Sequence, residues 1–365
     1  GGRIRPMKFS NRANVTQLDT FDEVIDVRSP SEYAHDHIPG AINAPVLDDA
    51  QRAEVGTLYK QVSPFAARRV GAVMVARNIV DHIANLFHDR PSSWRPLVYC
   101  WRGGQRSGAM TIVLRQVGWQ AMQLEGGYKE FRRMVVAQLE TLAPRYRYVV
   151  LCGETGSGKS RLLEALAAQG EQVLDLEGFA RHRGSVLGCM PQTPQPSQKA
   201  FETALWDALR KFDPQRPVYV EAESKKIGVL QVPDPLIRSI RAAECVQVRA
   251  PLEERVRFLL GEYAFFVEDP AALRRQLDYL RPLYGSEKVN GWLARADAGD
   301  WPAFVAEVLS AHYDPLYRRS THQNFTRLAE ALVLELRTLD AAALGQAAAE
   351  LAARVNGRAA VSVAA

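Results

Sequence analysis

The stretch Tyr148-Val149-Val150-Leu151-Cys152-Gly153-Glu154-Thr155-Gly156-Ser157-Gly158-Lys159-Ser160 decides how the second half of the chain folds. Tyr148–Cys152 is a short apolar run, suited to a buried strand. Gly153–Ser160 fits the pattern GxxxxGK[ST], and Ser160–Gln169 reads as a helix. Strand, glycine-rich loop and helix in that order make a phosphate cradle. The backbone N–H groups of Gly153, Glu154, Thr155, Gly156, Ser157 and Gly158 face the anion, Lys159 supplies charge, and the Ser160 hydroxyl can hold Mg²⁺.

Downstream, Val173–Leu176, Pro217–Glu221 and Glu244–Val248 read as further strands. Pro191–Ser197 is rich in proline and glutamine and is expected to be a mobile loop. Leu252–Arg337 reads as mostly helical, and the alanine-rich tail beyond Asp340 as weakly structured, a frayed helix being the alternative. The strand in Val218-Tyr219-Val220-Glu221-Ala222-Glu223-Ser224 ends in glutamate, where nucleotide hydrolases usually carry aspartate. Glu221 and Glu223 are candidates for acid/base work or for a metal ligand; capping the next helix is the equal alternative. No Asn-Lys-x-Asp guanine motif is present, which argues against a GTPase.

Upstream, Ala143-Pro144-Arg145-Tyr146-Arg147 is the expected domain boundary. Before it, strands at Phe21–Val27, Leu97–Cys100 and Gln120–Leu124 alternate with helices at Gly71–Phe87, Ser107–Val117 and Tyr128–Leu142. That alternation predicts a parallel sheet covered on both faces. Between one strand and the next helix lies Cys100-Trp101-Arg102-Gly103-Gly104-Gln105-Arg106-Ser107. A cysteine at a strand end, facing inward-pointing N–H groups and a helix N-terminus, sits in an anion site that also favours the thiolate. Gly103 and Gly104 let the backbone curl, and Arg102 and Arg106 can bond a bound oxyanion. With Gln105 and Ser107 they make up the expected anion-binding loop, and Cys100 is the expected catalytic residue. Trp101 can pack beneath the loop or stack on a base.

Residues 15–138 resemble the rhodanese family. Asp26-Val27-Arg28-Ser29-Pro30-Ser31-Glu32-Tyr33, followed by His37-Ile38-Pro39-Gly40-Ala41-Ile42-Asn43, matches its N-terminal signature, and the Cys100 loop matches its active-site position. The resemblance implies that Cys100 carries sulfur or selenium. Common sulfur-handling members close the loop in six residues, whereas Cys100 to Arg106 is seven, as in the related phosphatases. The longer ring suits a tetrahedral donor such as selenophosphate.

The whole chain, to about residue 335, resembles the tRNA 2-selenouridine synthase family. The stretches that carry this are Leu58–Phe65, Val75–Ile79, Tyr99–Gly104, Asp175–Gly178, His182–Ser185 and Tyr313–Tyr317. The resemblance implies a tRNA anticodon stem-loop as substrate, with 2-thiouridine at the wobble position. It implies S-geranylation by geranyl diphosphate, then selenium transfer from selenophosphate through Cys100. It also implies a partner enzyme that supplies selenophosphate and no tightly bound cofactor. His182, Arg183 and Ser185 become candidates for phosphate or RNA contact; a solvated basic turn is the plainer alternative. Lys225, Lys226, Arg238, Arg241, Arg274, Arg275, Arg318 and Arg319 are candidate RNA backbone contacts. Two other functions stay open: an ATP-dependent tRNA sulfurtransferase, and a nucleotide-driven switch with a rhodanese sensor module.

The fold expectation is therefore α/β throughout: a rhodanese-like parallel-sheet domain over 15–142, then a P-loop NTPase-like domain with a helical C-terminal part over 146–338, and a tail over 339–365. At 365 residues, 47% hydrophobic and 24% charged, the composition suits a soluble two-domain protein. No apolar run nears the roughly 20 residues of a membrane helix. Arg3, Arg5 and Lys8 precede no apolar stretch, so no secretory leader is read. Four cysteines without a CxxC pair suggest neither a zinc site nor a disulfide framework, and a cytoplasmic setting is expected. The net charge of +5 weakly favours a polyanionic partner.

Overall fold

The computed structural model describes residues 11–182, 194–262 and 270–363. The first unit is built on the strands β1 (Arg12–Ala13), β2 (Glu23–Asp26), β3 (Ile42–Asn43), β4 (Pro96–Tyr99) and β5 (Met122–Leu124). All pair in parallel, in the order β1-β5-β4-β2-β3. β4 is buried at every residue, as a strand covered on both faces must be. One layer packs Ile25, Val27, Val98 and Cys100 against Ile79, Phe87, Met110, Leu114 and Trp119. On the helix Gly127–Leu142, Tyr128, Phe131, Val135 and Leu139 recur at helical spacing and are all buried.

The unit also takes in Pro196–Asp207, which returns from further along the chain. Trp206 meets Phe131 edge-on at 5.5 Å and donates to Gln138 at 2.7 Å, and Arg132 donates to Thr203 at 2.9 Å. A division by sequence near residue 143 assigns this segment to the second half, because nothing local marks a return.

The second unit comprises Leu139–Gln195 and Ala208–Ala365. Its main sheet is β6 (Tyr148–Cys152), β7 (Gln172–Leu174), β8 (Val218–Glu221), β11 (Glu244–Arg249) and β12 (Leu332–Glu335); β9 (Lys226–Ile227) and β10 (Leu230–Gln231) form a separate hairpin. The main sheet is parallel, in the order β12-β11-β6-β8-β7. β6 is therefore central, and its neighbours β8 and β11 lie on opposite sides. That is where an open α/β sheet places its ligand crevice, beyond the carboxyl ends of the strands.

Two expectations are corrected. β12 lies inside the region read as helical: only four residues long, it gives little signal until β11 supplies its hydrogen bonds. The tail is not weakly structured. Ala341–Val363 is one helix, and Leu344, Ala348, Leu351 and Val355 pack on Val149, Leu151, Leu162, Leu166, Val246 and Val248. Alanine favours helix intrinsically, and those four larger or buried side chains supply the stripe that anchors it. Among the described residues no helix is long and apolar enough to cross a membrane.

Candidate functional site

Cys100 directly follows β4, and its side chain is almost fully buried. The Gly104 N–H donates to its sulfur at 3.3 Å and the Ser107 hydroxyl at 3.1 Å. Burial pushes the thiol up. The bonds from Ser107 and Gly104, with the nearby Arg106 charge, outweigh it and hold the thiol below its ordinary value. Ser107→Ala is accordingly expected to raise the pH midpoint of iodoacetamide alkylation at Cys100; an unmoved midpoint would show that the hydroxyl contributes nothing.

Backbone constraints set the loop shape. Gly103 has φ +65°, and a Cβ there would meet the Leu124 carbonyl at 2.5 Å; Gly127 has φ +58°, and a Cβ would meet the Cys100 carbonyl at 2.4 Å. Gln123 on β5 clamps the loop, donating to Gly103 O at 2.8 Å, Gly104 O at 2.9 Å and Ser107 Oγ at 2.8 Å. Sequence reading gave Gln123 no role, because the clamp reaches across from another strand. Arg106 is tied to Glu32 at 2.8 Å, while Arg102 and Gln105 are exposed at the rim. Trp101 lies 5.3 Å from the Tyr128 ring and is 36% exposed, so it packs and still shows a face. The Asp-Val-Arg signature turns inward: Arg28 bonds Asp26 at 2.6 Å and Asp36 O at 2.7 Å under the Tyr128 ring. Arg28 and Asp26 are both buried.

The second unit carries the other site. Gly153–Gly158 joins β6 to the helix Lys159–Ala168, with Gly156 at φ +81° and Gly158 at φ +82°. Lys159 Nζ donates to Gly153 O at 2.6 Å and Glu154 O at 3.3 Å. From behind, buried Arg255 holds Thr155 O at 2.9 Å, Glu154 at 2.7 Å and Asp314 at 2.6 Å; Arg318 also bonds Glu154. The Gly153 N–H donates to Tyr317 Oη at 2.6 Å. Removing Arg255 leaves the Asp314 carboxylate buried without its partner, so Arg255→Met should cost about 3–5 kcal/mol of stability in urea unfolding.

Glu177, Glu221 and Glu223 converge in front of the loop, with carboxylate oxygens within 4.8 Å of one another. The Ser160 hydroxyl donates to Glu221 at 3.3 Å and Glu177 at 3.4 Å. Burial, then repulsion from the neighbouring carboxylates, pushes Glu177 and Glu223 up to about 8 and Glu221 up as well; Lys159 opposes the shift. Among the described residues, buried Glu221 Oε1 and Ser157 Oγ have no hydrogen-bond partner. Three mutually repelling carboxylates, one with an orphaned oxygen, and a hydroxyl are a hard-donor set that suits a divalent cation. Glu221 and Glu223 were expected; Glu177 was not, because its place depends on the turn that Asp175 caps.

Loop and carboxylates share a cavity of about 680 Å³. Arg181 and His182 are on its wall, and burial lowers the His182 pKa. Arg181 holds a left-handed backbone, φ 49°. Arg183 and Ser185 lie outside the described residues. Phe258, Leu259, Leu316 and Phe325 give the same cavity an apolar side. Lys225 is ion-paired to Asp234 and Arg274 to Asp297, and Lys226 is exposed on the hairpin, so these bases do not gather at the loop.

A family model described as the tRNA 2-selenouridine synthase AAA domain matches residues 146–277, and a rhodanese-like domain model matches residues 10–134. A tRNA 2-selenouridine synthase of Nitrosomonas europaea is 38% identical over 66% of this chain, which spans 63% of that relative's length. One from Bdellovibrio bacteriovorus is 34% identical over 80% of this chain and 87% of its own. A third, from a Sulfurovum species, is 30% identical over 84% of this chain and 90% of its own. The two family matches, with likeness at 30% identity or more along most of the length of two relatives, place the chain in the tRNA 2-selenouridine synthase family.

Proposed function

We propose that the protein replaces the sulfur of 2-thiouridine in tRNA by selenium, in two steps served by its two loops. In the first, the thiocarbonyl sulfur attacks C1 of geranyl diphosphate. The C–O bond breaks, diphosphate leaves and the base loses its N3 proton. In the second, the selenium of selenophosphate attacks C2 and the geranyl thiolate departs; water then cleaves the P–Se bond, phosphate leaves, and the base and the thiolate regain protons. Alkylation comes first because a thiocarbonyl sulfur leaves poorly, whereas an alkylated one leaves as a thiolate.

The observation that carries the reading is the composition of the second cavity, which Lys159 and the phosphate loop line together with Phe258, Leu259, Leu316 and Phe325. An anion head with an apolar chain, such as a prenyl diphosphate, fits that pairing. Ser160, Glu177, Glu221 and Glu223 would hold Mg²⁺, which would neutralise charge on the leaving diphosphate. The hydrogen-bonded Cys100 sulfur and its seven-residue ring support selenophosphate handling at the first loop. The test is mass analysis of tRNA nucleosides after incubation with geranyl diphosphate and selenophosphate, each omitted in turn. Selenouridine should need both, and the geranylated base should accumulate without selenophosphate. Conversion that needs ATP and no geranyl donor would overturn the reading.

A further inference from the structure

The helices Asp49–Gln61 and Pro64–Asn85 form a hairpin in the first unit whose outer surface neither loop uses. Its inner side is anchored: Ala67 and Ile79 are buried, and Asn78 donates to Val46 O at 3.0 Å and Gln51 at 2.7 Å. At Gly71 the first helix comes so close that a Cβ would sit 3.4 Å from Val55. Ser63 fixes the tip, capping the second helix through the Ala66 N–H at 3.0 Å.

The outer side is unlike an ordinary solvated helix surface. Tyr59 is 58% exposed, Val62 66%, Phe65 70%, Val73 51% and Val80 64%. Single exposed apolar residues are commonplace, but a run of them on one rigid element marks a contact surface. Phe65, Arg69, Val73, Arg77 and Val80 follow at intervals of three or four, so they form one stripe along the helix. Between Val55 and Val80 the chain carries Lys60, Arg68, Arg69 and Arg77 and no aspartate or glutamate. All four bases are exposed.

We infer that this outer face, from Tyr59 and Phe65 at the tip along Arg69, Val73 and Arg77, is the docking surface for the RNA substrate. The inference rests on the proposal that the substrate is an RNA. Exposed aromatic rings stack on unpaired bases, and an uninterrupted set of guanidinium and ammonium groups binds phosphates. A second copy of this chain fits less well, because a twofold contact through this face sets bases against bases. A lipid surface fits less well, because charges break the apolar stripe.

Binding of 2-thiouridine-containing tRNA to the full-length protein, measured by fluorescence anisotropy over a salt series, tests this. Tyr59→Ala with Phe65→Ala should weaken binding about tenfold or more. Arg69→Gln with Arg77→Gln should weaken it as well and lower the slope of log affinity against log salt by about two. These side chains are exposed, so unfolding midpoints should not move; a fall there would be checked with Phe65→Leu, which keeps bulk and loses the ring. Wild-type binding with unchanged affinity and slope in both double variants overturns the surface but leaves the proposed function standing. No tRNA binding by wild type overturns both. Wild-type dimers that dissociate in the same variants, with RNA affinity intact, would identify the face as a contact between copies.

Discussion

Cys100→Ser protein is expected to geranylate 2-thiouridine at the wild-type rate and to stop there, with selenation down by at least about 10³-fold. The substitution is conservative in shape, and the loop does not depend on the sulfur. Gln123 holds the Gly103 and Gly104 carbonyls, and the Tyr128 N–H donates to the Cys100 backbone carbonyl at 2.9 Å. What changes is the reactive atom. Ser107, Gly104 and Arg106 together hold the thiol below its ordinary value. The same donors cannot bring an alcohol, whose pKa starts several units higher, to a usable anion near neutral pH. Nucleoside mass analysis should show the geranylated base accumulating, with no selenated base formed by the variant. Selenation by the variant at the wild-type rate would remove Cys100 from the selenium route; a parallel loss of geranylation would mean that the two loops do not act as separate stations.

How much of this was legible beforehand depended on whether a feature is local. β6 is legible to the residue and the helix after its loop to within one, because strand, glycine spacing and lysine sit in one continuous stretch. The Cys100 loop was read for the same reason. Contacts that cross the chain were not. Arg255 reaches Asp314, 59 residues on, and nothing around either marks them as partners that brace the phosphate loop. Gln123 is an ordinary strand residue until its amide meets the Cys100 loop. Glu177 carries no mark of its own within the stretch Asp175–Gly178, and its chemistry comes from Glu221, at the end of β8, and Glu223, just beyond it, converging on it. The tail was misjudged because alanine adds little apolar surface per residue, so the four positions that anchor it stand out only against the finished sheet.

Lys159→Ala is expected to reduce geranylation by about 10²–10³-fold and to leave selenation of RNA geranylated beforehand largely intact. On the proposed route the ammonium bonds the diphosphate at the loop, where charge grows as the C–O bond breaks. The cradle should survive the change, since Arg255 holds Thr155 O and Glu154 from behind and the Gly153 N–H keeps Tyr317. A second effect works in the same direction. Lys159 opposes the upward push on Glu177, Glu221 and Glu223, so its loss should make those carboxylates harder to ionise and weaken cation binding. Lys159→Arg separates the two effects, because it retains charge beside the carboxylates while changing the point contact to the anion. Partial geranylation by Lys159→Arg with none by Lys159→Ala would assign most of the effect to charge. Geranylation by Lys159→Ala at the wild-type rate would refute diphosphate binding at this loop, and the apolar wall formed by Phe258, Leu259, Leu316 and Phe325 would then need another ligand.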